Sequence, residues 1–431
     1  MNVFENIKLQ KQNGHFVGIY SCCSSNPFVI EAAISRALLT DTDLLVEATA
    51  NQVNQFGGYT GMTPWDFQQY IMEIARTLNF PEERLLLGGD HLGPLIWKHL
   101  PESDAMENAR VLVEDYISAG FTKIHLDTSM HLASDDISKS LPVGVIAARA
   151  AQLCLTAEIT FQQRRQSHPG TSFPIYVIGS EVPIPGGAQE EQDELEITRP
   201  EDCISTIESF RTAFLTLNLE NTWERVVGVV VQPGVEFGDT DVFHYNSSAA
   251  NNLCKVLNDY PSLVFEGHST DYQTKEDLQK MVQDGIAILK VGPALTFALR
   301  QGLFALECIE AELYSETAKR SNFRKTLDAV MVENPIYWIN YYQGCEEVLG
   351  FKRAFSQSDR CRYYLTDSRI QCSIQHLLDN LSIVDIPFTL LNQFLPYQYN
   401  KVREGKLLKE PKALLLDVIG TTIDDYLYAV K

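Results

Sequence analysis

The sequence predicts an α/β fold, a single (β/α)8 TIM barrel followed by a helical C-terminal extension, and three observations carry that expectation. Eight short runs rich in Val, Ile and Leu alternate with helix-period segments, the pattern of parallel strands buried on both faces and joined by crossover helices. Nearly every run ends in polar or charged residues, and the carboxyl ends of the strands are where barrels build their sites. Beyond the eighth run the pattern is helical only.

The strand runs are Val17 to Cys23, Asp43 to Thr49, Leu85 to His91, Lys123 to Ser129, Ile175 to Val182, Val226 to Gly234, Ser262 to Ser269 and Ala287 to Pro293. Between them helical periodicity predicts helices over Val29 to Leu39, Pro64 to Leu78, Met106 to Ala119, Val143 to Thr156, Pro200 to Leu217, Ser247 to Tyr260 and Thr274 to Asp284. Leu295 to Tyr314 reads as one long helix after the last strand. This gives a barrel over 1–314 and an extension over 315–431, broken by turns at Pro335, Pro387 and Pro396, packed on the barrel rather than standing alone. An open doubly wound sheet is disfavoured, because neither G-x-G-x-x-G nor G-x-x-x-x-G-K-[ST] follows the first strand. The interior of the strands is expected to hold branched apolar side chains.

A length of 431 residues suits a barrel with an appendage, and 45% hydrophobic with 21% charged residues supplies an ordinary core. The net charge of −21 repels nucleic acid and anionic membranes, and no concentrated basic patch offsets it. An anionic substrate therefore needs a local cluster of cations or N–H groups. Nine cysteines without C-x-x-C pairs read as reduced thiols, Cys22 and Cys23 among them as buried thiols at a strand end. Met1 to Gln12 lacks the apolar run of a signal peptide and no later stretch reaches about 18 uninterrupted apolar residues, so a cytoplasmic location is expected.

The candidate site residues converge from separate strands: Glu47 and Asn51, Asp90 and His91, His125 and Asp127, Glu181, Gln232 and Glu236, Glu266 and His268, and Lys290. His91, Glu181 and His268 form a nitrogen and carboxylate set suited to Zn2+ or another divalent ion with an open position. Asp90, expected on the opposite side of the strand or on the turn, stands close enough to exchange a proton near the metal. Lys290, Gly292 and Arg300 are the phosphate candidates, Gly292 for close backbone approach and the following helix start for its N–H groups; Ser269, Asp127 and Glu47 join them as substrate contacts. The loops Gly57 to Gly61 and Pro185 to Gly187 are candidate mobile covers. Asp359 to Tyr364 reads as a solvated face, with a cationic contact to the site as the alternative.

Longer strings carry a resemblance: Glu47-Ala48-Thr49 and Asn51-Gln52-Val53-Asn54-Gln55-Phe56-Gly57-Gly58-Tyr59-Thr60-Gly61-Met62-Thr63-Pro64, Gly88-Gly89-Asp90-His91-Leu92-Gly93-Pro94, Ile178-Gly179-Ser180-Glu181-Val182-Pro183, Val231-Gln232-Pro233-Gly234, and Ile288-Leu289-Lys290-Val291-Gly292-Pro293. From about Val17 into the extension, the chain resembles the Z-type subunit of class II D-tagatose-1,6-bisphosphate aldolase. The resemblance implies a class II aldolase-type barrel, a divalent metal, most naturally Zn2+, and a sugar phosphate ligand in galactitol or N-acetylgalactosamine (tagatose 6-phosphate) breakdown. It also implies a partner, the Y-type catalytic subunit, whose full activity and stability need the Z-type chain. Asp90-His91, Glu181 and His268 match the metal and proton-transfer residues of the catalytic relatives, and Gln232 stands where they carry another His, a weaker ligand. Two other implications are a metal-dependent ketohexose or ketohexose-phosphate 4-epimerase, and a tagatose 6-phosphate kinase, which the missing nucleotide loop disfavours.

Overall fold

The computed structural model describes residues 3–182 and 195–431. Eight parallel strands close on themselves: β1 (Ile19–Cys22), β2 (Leu44–Thr49), β3 (Leu85–Leu92), β4 (Lys123–Leu126), β5 (Ile175–Ile178), β6 (Val226–Val231), β7 (Val264–Gly267) and β8 (Ile286–Val291). Each pairs with its neighbours in sequence, and β1 pairs with both β2 and β8, so the sheet has no edge. The chain is thus a TIM barrel. The strands are shorter at their carboxyl ends than the apolar runs suggested, because Ser129, Val182 and Gly234 already belong to the loops that leave the barrel.

The helix Val143–Ser167 runs well past Thr156, since its last turns are polar and face outward. Its 25 residues are long and apolar enough to cross a membrane, yet half of its apolar window is buried, and it packs between Glu102–Ala119 and Pro200–Thr216 as an outer helix of the barrel. A helix at Val3–Gln12, absent from the sequence expectation, inserts Phe4 and Ile7 among Ile19, Leu45, Ile175 and Val264 at the amino ends of the strands. Lys11 Nζ anchors it by donating to the carbonyls of Leu257, Tyr260 and Leu263 at 3.2, 3.2 and 2.6 Å.

Side chains alternate in and out along a strand, and that period turns the barrel interior from apolar to charged within two residues. Leu45 is followed inside by Glu47, Val264 by Glu266 and Ile288 by Lys290. The interior is therefore not filled by branched apolar side chains alone, as expected, because Glu47, Lys123 and Glu266 occupy it at 0% exposure. Gly88 on β3 makes room for this layer: a Cβ there would lie 2.5 Å from Glu47 Oε1.

Past β8 the helix Pro293–Leu313 leads into the extension, whose last helix, Pro411–Ala429, packs against Pro27–Thr40, Lys275–Gln283 and Pro293–Leu313. Asp417 on it accepts from Arg36 Nη2 (2.7 Å) and Lys401 Nζ (2.9 Å). The segment between these helices crosses to the strands' carboxyl ends, where Arg300 Nε donates to Asp359 Oδ2 at 2.8 Å. All nine cysteines are free, and burial pushes the Cys22 thiol well up.

Candidate functional site

A chain of alternating charges runs through the upper barrel. Lys123 Nζ lies 2.6 Å from both Glu47 Oε1 and Glu266 Oε2, Lys290 Nζ contacts Glu47 and lies 3.0 Å from Asp90 Oδ2, and Glu266 Oε1 lies 3.0 Å from His268 Nε2. Several of these atoms meet at ion-pair distance without aligned hydrogen bonds. Burial pulls Lys290 down to about 8, with Cys23 opposing. Burial pushes Glu266 up, but Lys123 and His268 outweigh it and bring the carboxyl to about 2.

Above this layer, Asp90, His91, His125 and His268 bring donor atoms within 4.8 Å of one another, and all four are buried. The ring centroids of His91 and His268 stand 4.9 Å apart and edge to face, with His125 at 5.0 and 5.3 Å from them. Asp90 does not turn to the opposite side of the strand. The β3–β4 register shifts between Gly89 and Leu92, and His91 adopts a left-handed backbone (φ 49°), so two successive side chains reach the same cluster. Left-handed non-glycine residues are costly and concentrate at functional sites; Ser269, next to His268, is a second (φ 52°).

Each imidazole has one nitrogen engaged. His91 Nδ1 lies 2.8 Å from Asp127 Oδ2, His125 Nδ1 lies 2.9 Å from Asp90 Oδ1, and His268 Nε2 faces Glu266. His125 Nε2 is buried with no partner. Metal-binding imidazoles are oriented in this way, one nitrogen held by a carboxylate and the other left for the ion. Two lysines face four carboxylates here (Glu47, Asp90, Asp127 and Glu266), so neutral imidazoles leave two negative charges uncompensated. A divalent cation cancels that amount, and nitrogen and oxygen donors suit it. The residues fit such an ion. Burial pushes the Asp90 carboxyl up, but His91, His125 and His268 hold it well below the usual range. Burial lowers His91, while Asp90 and Asp127 more than offset it and raise it to about 8. For His268 burial prevails and lowers it.

The cluster floors a cavity of about 620 Å3, its solvent mouth included. Asp90, His91, His268 and Lys290 line it, together with Ser269, Asp271, Gly292, Tyr59, Arg362 and Tyr363. Tyr363 stacks on Tyr337 (4.8 Å, 9°) and meets Tyr59 edge on (4.7 Å), which ties the extension to the glycine-rich loop after β2. Asp359 to Tyr364 is accordingly not a solvated face, since Asp359, Arg360 and Cys361 are buried and Arg362 looks into the cavity.

The other sequence candidates have different surroundings. Glu181 is exposed and outside the donor cluster; its Oε2 accepts from Thr198 Oγ1 at 2.7 Å. Gln232 is outside it too, because its Oε1 accepts from the N–H groups of Gly234 and Val235 and so closes a turn that Gly234 (φ 91°) permits. Asp127 holds His91 and does not line the cavity, and Glu47 lies beneath it, bound to lysines. Arg300 is held by Asp359 and the Ala354 carbonyl away from the cavity. The N–H groups of Gly292 and Ala294, expected to face phosphate, donate to Asp271 Oδ1 at 3.0 and 2.8 Å. Pro185 to Gly187 falls outside the described residues.

Sequence reasoning missed His125 as a donor and Lys123 as the central cation. The alternation Lys123, His125, Asp127 was the available signal, because period two places all three on one face of a strand. For Asp359 to Tyr364 the structure favours the alternative, a cationic contact: the Arg and Tyr pattern marked the segment, but which arginine reaches the cavity depends on how the extension folds back.

Fold and site together define a TIM-barrel protein with a candidate divalent-cation mouth. The chain belongs to the D-tagatose-1,6-bisphosphate aldolase subunit GatZ/KbaZ-like family, whose profile matches residues 4–431. Among solved structures, it is 44% identical to a probable tagatose 6 phosphate kinase from Sinorhizobium meliloti 1021, covering 96% of this chain and 100% of that one at a TM-score of 0.87. The YdjI aldolase from Escherichia coli K12 (10% identity, 86% and 94% covered, TM-score 0.40) and the fructuronate-tagaturonate epimerase UxaE from Cohnella laeviribosi (12%, 95% and 81%, 0.44) are far more distant. At such overlap neither carries an argument about this chain.

Proposed function

We propose that the chain is the accessory subunit of a class II D-tagatose-1,6-bisphosphate aldolase, needed for full activity and stability of a Y-type catalytic partner in galactitol or N-acetylgalactosamine catabolism. The observation that carries the reading is the family match over residues 4–431. The barrel at 1–314 and the extension at 315–431 work as one unit in this reading, because Arg362 and Tyr363 share a cavity with Asp90 and His268. Co-expression is the test: the partner's specific activity and melting temperature should both rise with this chain, through selective binding of the folded partner. A partner that melts and turns over identically with and without it would overturn the reading.

A second reading, a metal-dependent 4-epimerase of ketohexoses or their phosphates, is favoured by the buried Asp90, His91, His125 and His268 cluster beside Lys290. Asp90, His91, His125 and His268 would hold the ion, Zn2+ among the candidates, and such an ion supplies polarisation of a ketone oxygen. Asp90, ionised by its imidazole neighbours, would take the proton of the C4 hydroxyl as the C3–C4 bond breaks and return it when the fragments rejoin on the opposite face, and Lys290 would steady the charge in between. The purified chain with metal would then invert C4 unaided. The kinase name of the Sinorhizobium structure finds no phosphate-binding nucleotide loop in this sequence.

A further inference from the structure

We propose that Arg362, carried to the barrel mouth by the C-terminal extension, is the seat of a substrate's phosphate ester; the inference rests on the sugar phosphate reading above. In a protein of net charge −21 an anion is best held where a cation is left without a carboxylate partner. Two strong cations line the cavity, Lys290 and Arg362. Lys290 contacts Glu47 and lies 3.0 Å from Asp90, so its charge is already matched. Arg300, the arginine next along the chain, is fixed to Asp359. Among the described residues Arg362 forms no ion pair within 4.0 Å. Its Nε is buried without a partner, and Nη2 donates only to the neutral Tyr363 hydroxyl at 2.9 Å.

The guanidinium is also held in place. It lies 4.9 Å over the Tyr363 ring, which Tyr337 and Tyr59 clamp from two sides, so little freedom is lost when an anion arrives. Nη1 stands 3.6 Å from the point where a Cβ at Gly292 would be, so the guanidinium lies alongside the backbone that leaves the last strand. Asp271, which lines the same cavity, interacts with Arg362 electrostatically from beyond ion-pair distance, and its Oδ1 accepts from two backbone N–H groups. A planar fork of N–H donors suits a phosphate better than an ammonium does. One cavity is therefore lined by an anion seat at Arg362 and by Asp90, His91 and His268, the two kinds of contact a phosphorylated open-chain sugar needs.

Titration calorimetry with inorganic phosphate tests the seat directly. Arg362→Gln should weaken phosphate binding by about tenfold or more, the cost of losing a charged hydrogen-bonding partner. If Arg362→Gln does not fold, Arg362→Lys, which keeps charge but not the fork, takes its place with a smaller loss expected. Equal phosphate affinity in wild type and variant, no phosphate binding at all, or an Arg362 dependence seen only with acetate overturns the proposal. A ketohexose 6-phosphate run beside the free ketohexose separates the two readings: if phosphate depends on Arg362 but the sugar part adds no affinity, the seat stands and the sugar reading falls.

Discussion

At the amino ends of the strands the barrel is packed by Phe4, Ile7, Ile19, Leu45 and Val264, whereas one inward step further along it holds Glu47, Lys123, Glu266 and Lys290. The same backbone thus carries two interiors. The lower one removes apolar surface from water and stabilises the fold. The upper one takes charges out of water, and desolvation of that kind offsets much of the attraction between them. A barrel that needed only stability would repeat the lower layer upward, so the charged layer is there for what it holds at the mouth.

The sharpest way to break this comparison is Lys123→Met, which leaves Glu47 and Glu266 facing each other at 0% exposure. It should cost about 3–5 kcal/mol in denaturant unfolding; a loss below that of an ordinary surface change would mean the ladder is hydrated. Phe4→Ala probes the lower end and should cost about 3 kcal/mol, with metal uptake by the mouth unchanged. Coupling between those two losses would show that the ends are not independent.

A pH series sharpens the electrostatic half. Burial pushes the Glu236 carboxyl up to about 7 from 4.5, against the Phe237 N–H that holds its ionised form. Because the folded value is the higher one, its contribution is fully present below about 4.5 and is lost as pH rises through 7. Glu236→Gln should therefore be relatively more stable than wild type at pH 8 than at pH 4, by about 2 kcal/mol; a constant difference across that range would contradict the burial of the charge. The smallest effect concerns Asp127, which holds His91 from outside the cavity. Asp127→Asn should lower divalent-metal affinity about tenfold by equilibrium dialysis while leaving phosphate binding at Arg362 intact.

The barrel was legible because each strand is a dense apolar run, buried on both faces, and the helices between them keep a 3.6 period. The Val3–Gln12 helix was not, since four apolar residues, of which only Phe4 and Ile7 are buried, stand in a mostly polar segment whose amphipathicity has meaning once a barrel floor exists to receive it. Asp90, His91 and His268 could be picked from their positions at strand ends. Their shared direction could not, because it depends on a register shift and a left-handed residue that nothing in Gly88-Gly89-Asp90-His91 announces. Glu181 is a ligand candidate from its place at a strand end and Gln232 from the resemblance, whereas hydrogen bonds to Thr198 and to the Gly234 turn decide where they go. The Asp359 to Tyr364 segment could be marked as a cationic contact, but the place of Arg362 at the mouth rests on packing between Tyr59 and Tyr363, about 300 residues apart, which no local pattern conveys.

The Gly18 N–H donates to the Val430 carbonyl at 3.0 Å, and the Val3–Gln12 helix lies under the same rim of the barrel. Both segments therefore emerge on the face opposite the cavity. A surface tether, a fluorophore or a fused carrier attached through either one would stand with the mouth pointing into solution, so immobilised or labelled protein can be used for ligand measurements without the attachment shading the site.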